Sequence, residues 1–134
     1  MKYLLDTSSL YPLLIRLRGG ILDYSDHLCV LDFTLYEVGN VIWKEYKRGF
    51  IKDLESMVDL FEEFLYSVSI ISIRSSLGEI LSLAIGEDLT FYDASYLYMS
   101  RKLGYKLVTE DSKLRRYPEA IGVDELIREL ESLR

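Results

Sequence analysis

Cysteine and histidine are almost missing from this chain: Cys29 and His27 each stand alone. One cysteine excludes an internal disulfide, and one of each excludes a Cys/His zinc cluster within the chain. A single histidine also excludes catalysis by a histidine pair and leaves a Ser–His–Asp triad only with His27 as its base. His27 lies two residues before Cys29, at the entry to a short predicted strand, which reads as a structural position. Chemistry must therefore rest on carboxylates, hydroxyls, Lys and Arg. Gln is absent and Asn40 is the only Asn. Depleted amides beside plentiful Glu, Lys and Arg form a thermophile composition.

Long hydrophobic runs are lacking too. None approaches the ~18 residues needed to cross a bilayer, so no membrane partner is expected. The N-terminal "MKYLLDTSSLYPLL" has one Lys before a short apolar run that Asp6 breaks, unlike a cleaved signal peptide. A cytoplasmic location is the expectation. Nor is there a basic excess: 16 Lys and Arg face 22 Asp and Glu, for a formal net charge of −6. Taken alone, that balance argues against nucleic-acid binding, which needs a basic surface. Acids gathered around bound cations would change the sum.

What is present suits one globular domain over residues 1–134. A chain of this length buries roughly two-thirds of its unfolded surface, and 49% hydrophobic with 28% charged residues is ordinary for such a domain. Strands and helices alternate. "KYLLD" reads as a buried strand, followed by the helix "SSLYPLLIRLR", with Ser8 or Ser9 as cap, Pro12 in its first turn and Gly19-Gly20 as its stop. After a short link comes the strand "LCVLD", then the helix "TLYEVGNVIWKEYKRG", stopped at Gly49. "DLESMVDLFEEFLYSV" carries Leu54, Met57, Val58, Phe61, Phe64 and Leu65 on one stripe, an amphipathic helix. Then follow the strand "SIISI", the helices "SSLGEILSLAIG" and "YDASYLYMSRKLG", the strand "YKLVT", a turn at "SKLRRYP", an edge strand at "AIGV" and the helix "DELIRELESLR". Such alternation predicts a parallel sheet of four or five strands covered on both faces. Ligands in these folds bind beyond the carboxyl ends of the strands.

Four carboxylates fall on that edge. Asp6 ends the first strand, Glu37 opens the helix after the second, Asp93 opens the helix before the fourth, and Asp111 follows the fourth. Each has a purely structural reading. Thr34-x-x-Glu37 is a capping box and Thr90-x-x-Asp93 a relative of one, while Asp6 and Asp111 suit turns or caps. Together they are harder to explain that way, since like charges ~5 Å apart repel by about 3 kcal/mol at an effective dielectric of 20. Cations would relieve this, and oxygen donors without His or Cys select Mg²⁺ or Mn²⁺. Phosphodiester hydrolysis is the reaction such a site suits.

The stretches "YLLDTSSL", "TLYEVGNVIWK", "TFYDASYLYMSRKLG" and "KLVTEDSKL", in this order and over almost the whole chain, resemble the PIN-domain ribonucleases. In size the chain is similar to the VapC-type toxins of toxin–antitoxin pairs. The resemblance implies a three-layer α/β/α sandwich around a central parallel sheet. It implies Mg²⁺- or Mn²⁺-dependent endonucleolytic cleavage of RNA that leaves 5′-phosphate and 3′-hydroxyl ends. It implies that Asp6, Glu37, Asp93 and Asp111 are the catalytic and metal-holding quartet, with Asp6 and Asp93 the most direct ligands. For a toxin of a type II pair it further implies a homodimer and an antitoxin, and a basic antitoxin side chain entering the acidic site is the matching expectation.

Around the quartet, Ser8, Thr109 and Thr7 offer hydroxyls to the strand-end acids, and Asn40 sits three residues after Glu37, on its helix face, where it could orient that carboxylate. Glu110 neighbours Asp111, but the family's "T-x-D" spacing selects Asp111; Asp88 reads as a loop residue. Lys44, Lys47 and Arg48, or Lys113, Arg115 and Arg116, could hold phosphates, and the same residues read equally as solvated faces, so no RNA-binding set is assigned. Of the 11 tyrosines, Tyr92, Tyr96 and Tyr98 surround Asp93; some could stack on bases, while Tyr96 has the spacing of a core or dimer contact. Three other functions share these features: a PIN nuclease of RNA maturation, a Mg²⁺-binding phospho-acceptor module, and a silent binding domain. The second would want paired acids beside the first strand and a Lys ending a late one, whereas Lys106 begins its strand.

Overall fold

The computed structural model describes residues 1–133. Five strands, β1 (Tyr3–Leu5), β2 (Leu28–Leu31), β3 (Ser69–Ile71), β4 (Lys106–Val108) and β5 (Ala120–Ile121), form one sheet in the order β3-β2-β1-β4-β5. Every pairing is parallel. The helices are α1 (Thr7–Leu17), α2 (Thr34–Lys47), α3 (Leu54–Ser67), α4 (Leu77–Glu87), α5 (Phe91–Leu103) and α6 (Val123–Glu131).

The central strands are apolar at nearly every position because both faces are covered, and their side chains alternate between two cores. Tyr3, Leu5, Leu28, Val30 and Val108 meet Leu10, Leu13 and Leu14 of α1, Phe61 and Phe64 of α3, and Leu126 and Leu130 of α6. Leu4, Cys29, Leu31 and Leu107 meet Tyr96, Leu97 and Met99 of α5 on the other face. Outside α5, α4 packs through Ile80 and Ala84 against Ala94. The result is the three-layer α/β/α sandwich, with five strands.

Several local expectations are corrected. The cap of α1 is Asp6, as one structural reading of that acid has it, and not Ser8 or Ser9; its side chain accepts from the Ser9 amide. Pro12 is the sixth residue of that helix and so lies beyond its first turn. The helix ends at Leu17, and Arg18 rather than a glycine takes the positive φ, 52°. The expected short link is a 3-10 segment, Arg18–His27. In α3, Leu54 is exposed and Leu60 packs against the core in its place. The last helix begins at Val123, one residue early, and Arg134 of its expected span lies outside the described residues. Cys29 is buried, donates to the Tyr3 carbonyl at 3.4 Å, and burial pushes its thiol up to about 12. Among the described residues no helix is long and apolar enough to cross a membrane.

The strand order places the site. From β1 the chain moves out through β2 to β3, then returns to lay β4 on the opposite side of β1. The carboxyl ends of β1 and β4 thus flank the switch point, where connections leave in opposite directions and open a crevice. The two ends are tied together, since the Asp6 amide donates to the Val108 carbonyl at 3.1 Å.

Candidate active site

Asp6, Glu37, Asp93 and Asp111, brought from four separate elements, line one cavity of about 190 Å³ together with Thr7, Ser8, Tyr92 and Tyr96. Asp6 is only 4% exposed. Its Oδ1 accepts from the Ser9 amide at 3.0 Å and the Ser8 hydroxyl at 2.7 Å, and its Oδ2 accepts from the Thr109 hydroxyl. Burial nevertheless pushes its carboxyl up to about 6, against the downward pull of the bonds from Thr109, Ser8 and Ser9. Thr109 in turn accepts from the Asp111 amide at 3.0 Å, and Ser8 from the Glu110 amide at 2.9 Å. One hydroxyl pair thereby fixes the segment after β4 to the acid after β1.

Glu37 is not in a capping box. Thr34, the residue expected to cap, is fully buried with its hydroxyl 2.6 Å from that of Tyr96, and α2 has no side-chain cap. The Glu37 Oε1 accepts from Thr7 at 2.8 Å and Tyr96 at 3.1 Å. Burial holds the Tyr96 phenol well above its ordinary range, so it stays a donor. Its role in positioning Glu37 escaped the sequence reading, which gave Tyr96 to the core or to a dimer contact. The available signal was its place three residues after Asp93, on the same face of α5.

Asp93 stands in the first turn of α5, where the Thr90 hydroxyl accepts from its amide at 3.1 Å. Its carboxyl is pushed up first by burial and then by the negative charge of Asp111; Lys113 opposes this and Glu37 adds to it. Asp111 accepts from the Lys113 amide at 2.9 Å and the Leu114 amide at 3.1 Å through Oδ1, which holds the turn after β4. Its neighbour Glu110 leaves the site: it accepts from the Val123 amide at 2.9 Å, at the start of α6. Gly122 leaves room there, since a Cβ would fall 2.9 Å from the same Glu110 oxygen. Asp88 caps the end of α4. Asn40 is exposed, lies outside the cavity lining, and makes no hydrogen bond to Glu37 among the described residues.

The donor set is all oxygen, shares negative charge through space, and suits a hard divalent cation. Among the described residues no three of these groups stand close enough to count as a formed metal cluster. The fit therefore rests on donor chemistry and on the negative charges of Asp111 and Glu37 that bear on Asp93.

Fold and site together define an α/β protein with a carboxylate-lined cavity at the switch point of a parallel sheet. Residues 3–120 match the PIN domain, and the chain belongs to the PIN-domain family. It is 35% identical over 128 residues to exonuclease VapC9 of Pyrobaculum aerophilum, covering 95% of this chain and 94% of that one. It is 29% identical to ribonuclease VapC3 of the same organism, covering 90% and 98%. Its fold matches the crystal structure of PAE2754 from Pyrobaculum aerophilum with a TM-score of 0.86 at 34% identity, over 98% of each chain. A toxin–antitoxin complex from Klebsiella pneumoniae shares the fold alone, with a TM-score of 0.64 at 18% identity over 91% of this chain and 98% of that one.

Proposed function

We propose that this protein is a metal-dependent endoribonuclease, the toxin of a type II toxin–antitoxin pair. The observation that carries the reading is the convergence of Asp6, Glu37, Asp93 and Asp111 on one cavity at the β1/β4 crevice, in a PIN-domain chain. These four would hold Mg²⁺ or Mn²⁺, with Asp6 and Asp93 the direct ligands. When bound, such a cation polarises a phosphoryl oxygen and acidifies water. The reaction adds water across a phosphodiester: hydroxide goes to phosphorus, the P–O3′ bond breaks, and a proton goes to the 3′ oxygen. The chain's own part is positioning and charge placement. Ser8 and Thr109 fix Asp6, and Thr7 and Tyr96 fix Glu37.

Two partners complete the reading. An acidic cavity is silenced well by a basic side chain, and Arg matches carboxylates in bidentate fashion. The antitoxin is therefore read as inserting Arg or Lys beside Asp93 in competition with metal. A second copy of the chain is read as covering α4, whose Leu77, Leu81 and Ile85 recur every four residues and are 63%, 48% and 75% exposed. The deciding experiment is cleavage of mixed RNA by purified protein with Mg²⁺ or Mn²⁺, with EDTA, and with Asp93→Asn. Metal-dependent cleavage lost in EDTA and in the variant is expected. Full activity in excess chelator, after contaminants are removed, refutes the mechanism.

A further inference from the structure

Beside the acidic cavity lies a larger one of about 650 Å³, lined by Asp32, Phe33, Tyr36, Ile73, Phe91 and Tyr92. Tyr92 belongs to both cavities. Tyr36 and Tyr92 are the chain neighbours of Glu37 and Asp93, so the first turns of α2 and α5 each present one tyrosine next to one carboxylate. Both rings stand open, Tyr36 at 85% and Tyr92 at 57% exposure. Burial in the fold therefore does little to explain them.

The aromatic wall is nonetheless held on a firm support. Phe33 meets Tyr92 edge-on at 5.3 Å and Tyr96 edge-on at 5.2 Å. Tyr96 is the buried residue that donates to Glu37. Aromatic wall and carboxylates thus share one scaffold, and a ligand bound to the first is held in register with the second.

The lining chemistry selects the ligand. Five of the six residues are apolar or aromatic, the sixth is a carboxylate, and no Lys or Arg lines the cavity. Such a wall repels a phosphate and suits a flat, neutral ring, which aromatic side chains bind by stacking whatever the base. Asp32 adds one polar group. Its Oδ1 accepts the Phe33 amide at 2.8 Å, and its other oxygen has no hydrogen-bond partner among the described residues, leaving an acceptor for a base amino group.

We propose that this cavity is a base-stacking subsite, in which a nucleobase flanking the scissile phosphate lies against Tyr36 and Tyr92 and sets which phosphodiester reaches the carboxylates. The inference rests on the nuclease reading above and names how that site takes its substrate. Bases in a duplex are already stacked and turned inward, so the subsite selects unpaired RNA.

The test uses a short single-stranded RNA carrying 2-aminopurine, whose emission falls on stacking, and a matched strand with an abasic residue at that position. The probe is moved along the strand. Binding is followed with Ca²⁺ in place of Mg²⁺, and cleavage with Mg²⁺, for the wild type, Tyr36→Ala, Tyr92→Ala and Tyr92→Phe. The wild type is expected to quench the probe at one register and to bind it about tenfold tighter than the abasic strand. Both Ala variants lose that preference, with the cleavage loss falling on KM, while Tyr92→Phe retains it. Wild-type cleavage that both Ala variants share with unchanged KM overturns the subsite and leaves the nuclease reading standing. Tyrosine-dependent quenching without cleavage supports the subsite and sinks the nuclease reading. No binding of either strand sinks both, and Ala variants that bind RNA normally but lose a protein partner make the cavity a protein contact instead.

Discussion

Asp6→Asn tests through stability alone what burying this carboxylate costs and whether it belongs to a metal site. Asp6 is 4% exposed and its carboxyl is pushed up to about 6 from an ordinary 3.8. Each tenfold change in its ionisation constant is worth about 1.4 kcal/mol, so the charged form costs the metal-free fold on the order of 3 kcal/mol. Between pH ~4 and ~6 the folded protein holds this proton more tightly than the unfolded chain does. Stability therefore falls as pH rises through that window, with the full cost present above pH ~6 and none below pH ~4. Asn cannot ionise and escapes the cost. It keeps one acceptor for Ser9 and Ser8 but loses the charge-assisted bond to Thr109, a loss of about 1 kcal/mol. The net gain at pH 7.5 is about 2 kcal/mol, or roughly 7 °C in Tm for a chain this long. Thermal melts in EDTA at pH 4 and pH 7.5 check this: the variant should melt higher at pH 7.5 and no higher at pH 4. Added Mg²⁺ should raise the wild type by mass action on the folded state and the variant much less. A variant that melts lower at pH 7.5 in EDTA and responds to Mg²⁺ as the wild type does would place Asp6 outside any metal site.

Other perturbations probe the surroundings. Tyr96→Phe removes the partner of the buried Thr34 hydroxyl and one donor to Glu37, so it should lower stability by about 1–3 kcal/mol and cleavage by about tenfold or more; melts and initial rates that match the wild type would contradict this. A double charge on α4, Leu81→Glu with Ile85→Glu, should convert a dimer to a folded monomer, measured by light scattering. A dimer that survives would mean that copies meet elsewhere. Inhibition by the purified antitoxin should weaken when its site-facing Arg or Lys residues are changed to Ala, and undiminished inhibition would remove the competition with metal.

The sequence made the layers legible because they follow from periodicity. Tyr3 and Leu5 against Leu4, or Leu28 and Val30 against Cys29 and Leu31, divide between two cores as a two-sided parallel sheet requires. The acids were legible as strand-end and helix-start positions. Their convergence needs the order β3-β2-β1-β4-β5, which the reading of alternating elements did not supply. The cap of α1 was misread because Ser8, Ser9 and Asp6 are all good caps, and the bond between Ser8 and the Glu110 amide, 102 residues away, is invisible locally. Thr34 failed as a cap for a similar reason. A buried tyrosine 62 residues later takes its hydroxyl, a tertiary contact that overrides a local preference. Asn40 shows the limit of helix-face arguments: the spacing from Glu37 is right, yet the side chain is left exposed beside the site.

The acidity of the chain has a structural order that resolves its conflict with an RNA substrate. Arg16, Arg48, Arg101, Lys106 and Arg115 form ion pairs with Asp124, Glu45, Glu119, Glu129 and Glu110, all of them away from the cavity lining. None of these pairs includes Asp6, Glu37, Asp93 or Asp111. The fold answers Asp6, Glu37 and Asp111 with hydroxyls and backbone amides. Those partners orient a carboxylate without cancelling its charge, which leaves the charge for a diffusible cation. A cation bound as proposed would offset that charge and let a phosphate approach an acidic protein there. If the aromatic wall beside it receives a base as proposed, RNA binding at this site needs no basic surface.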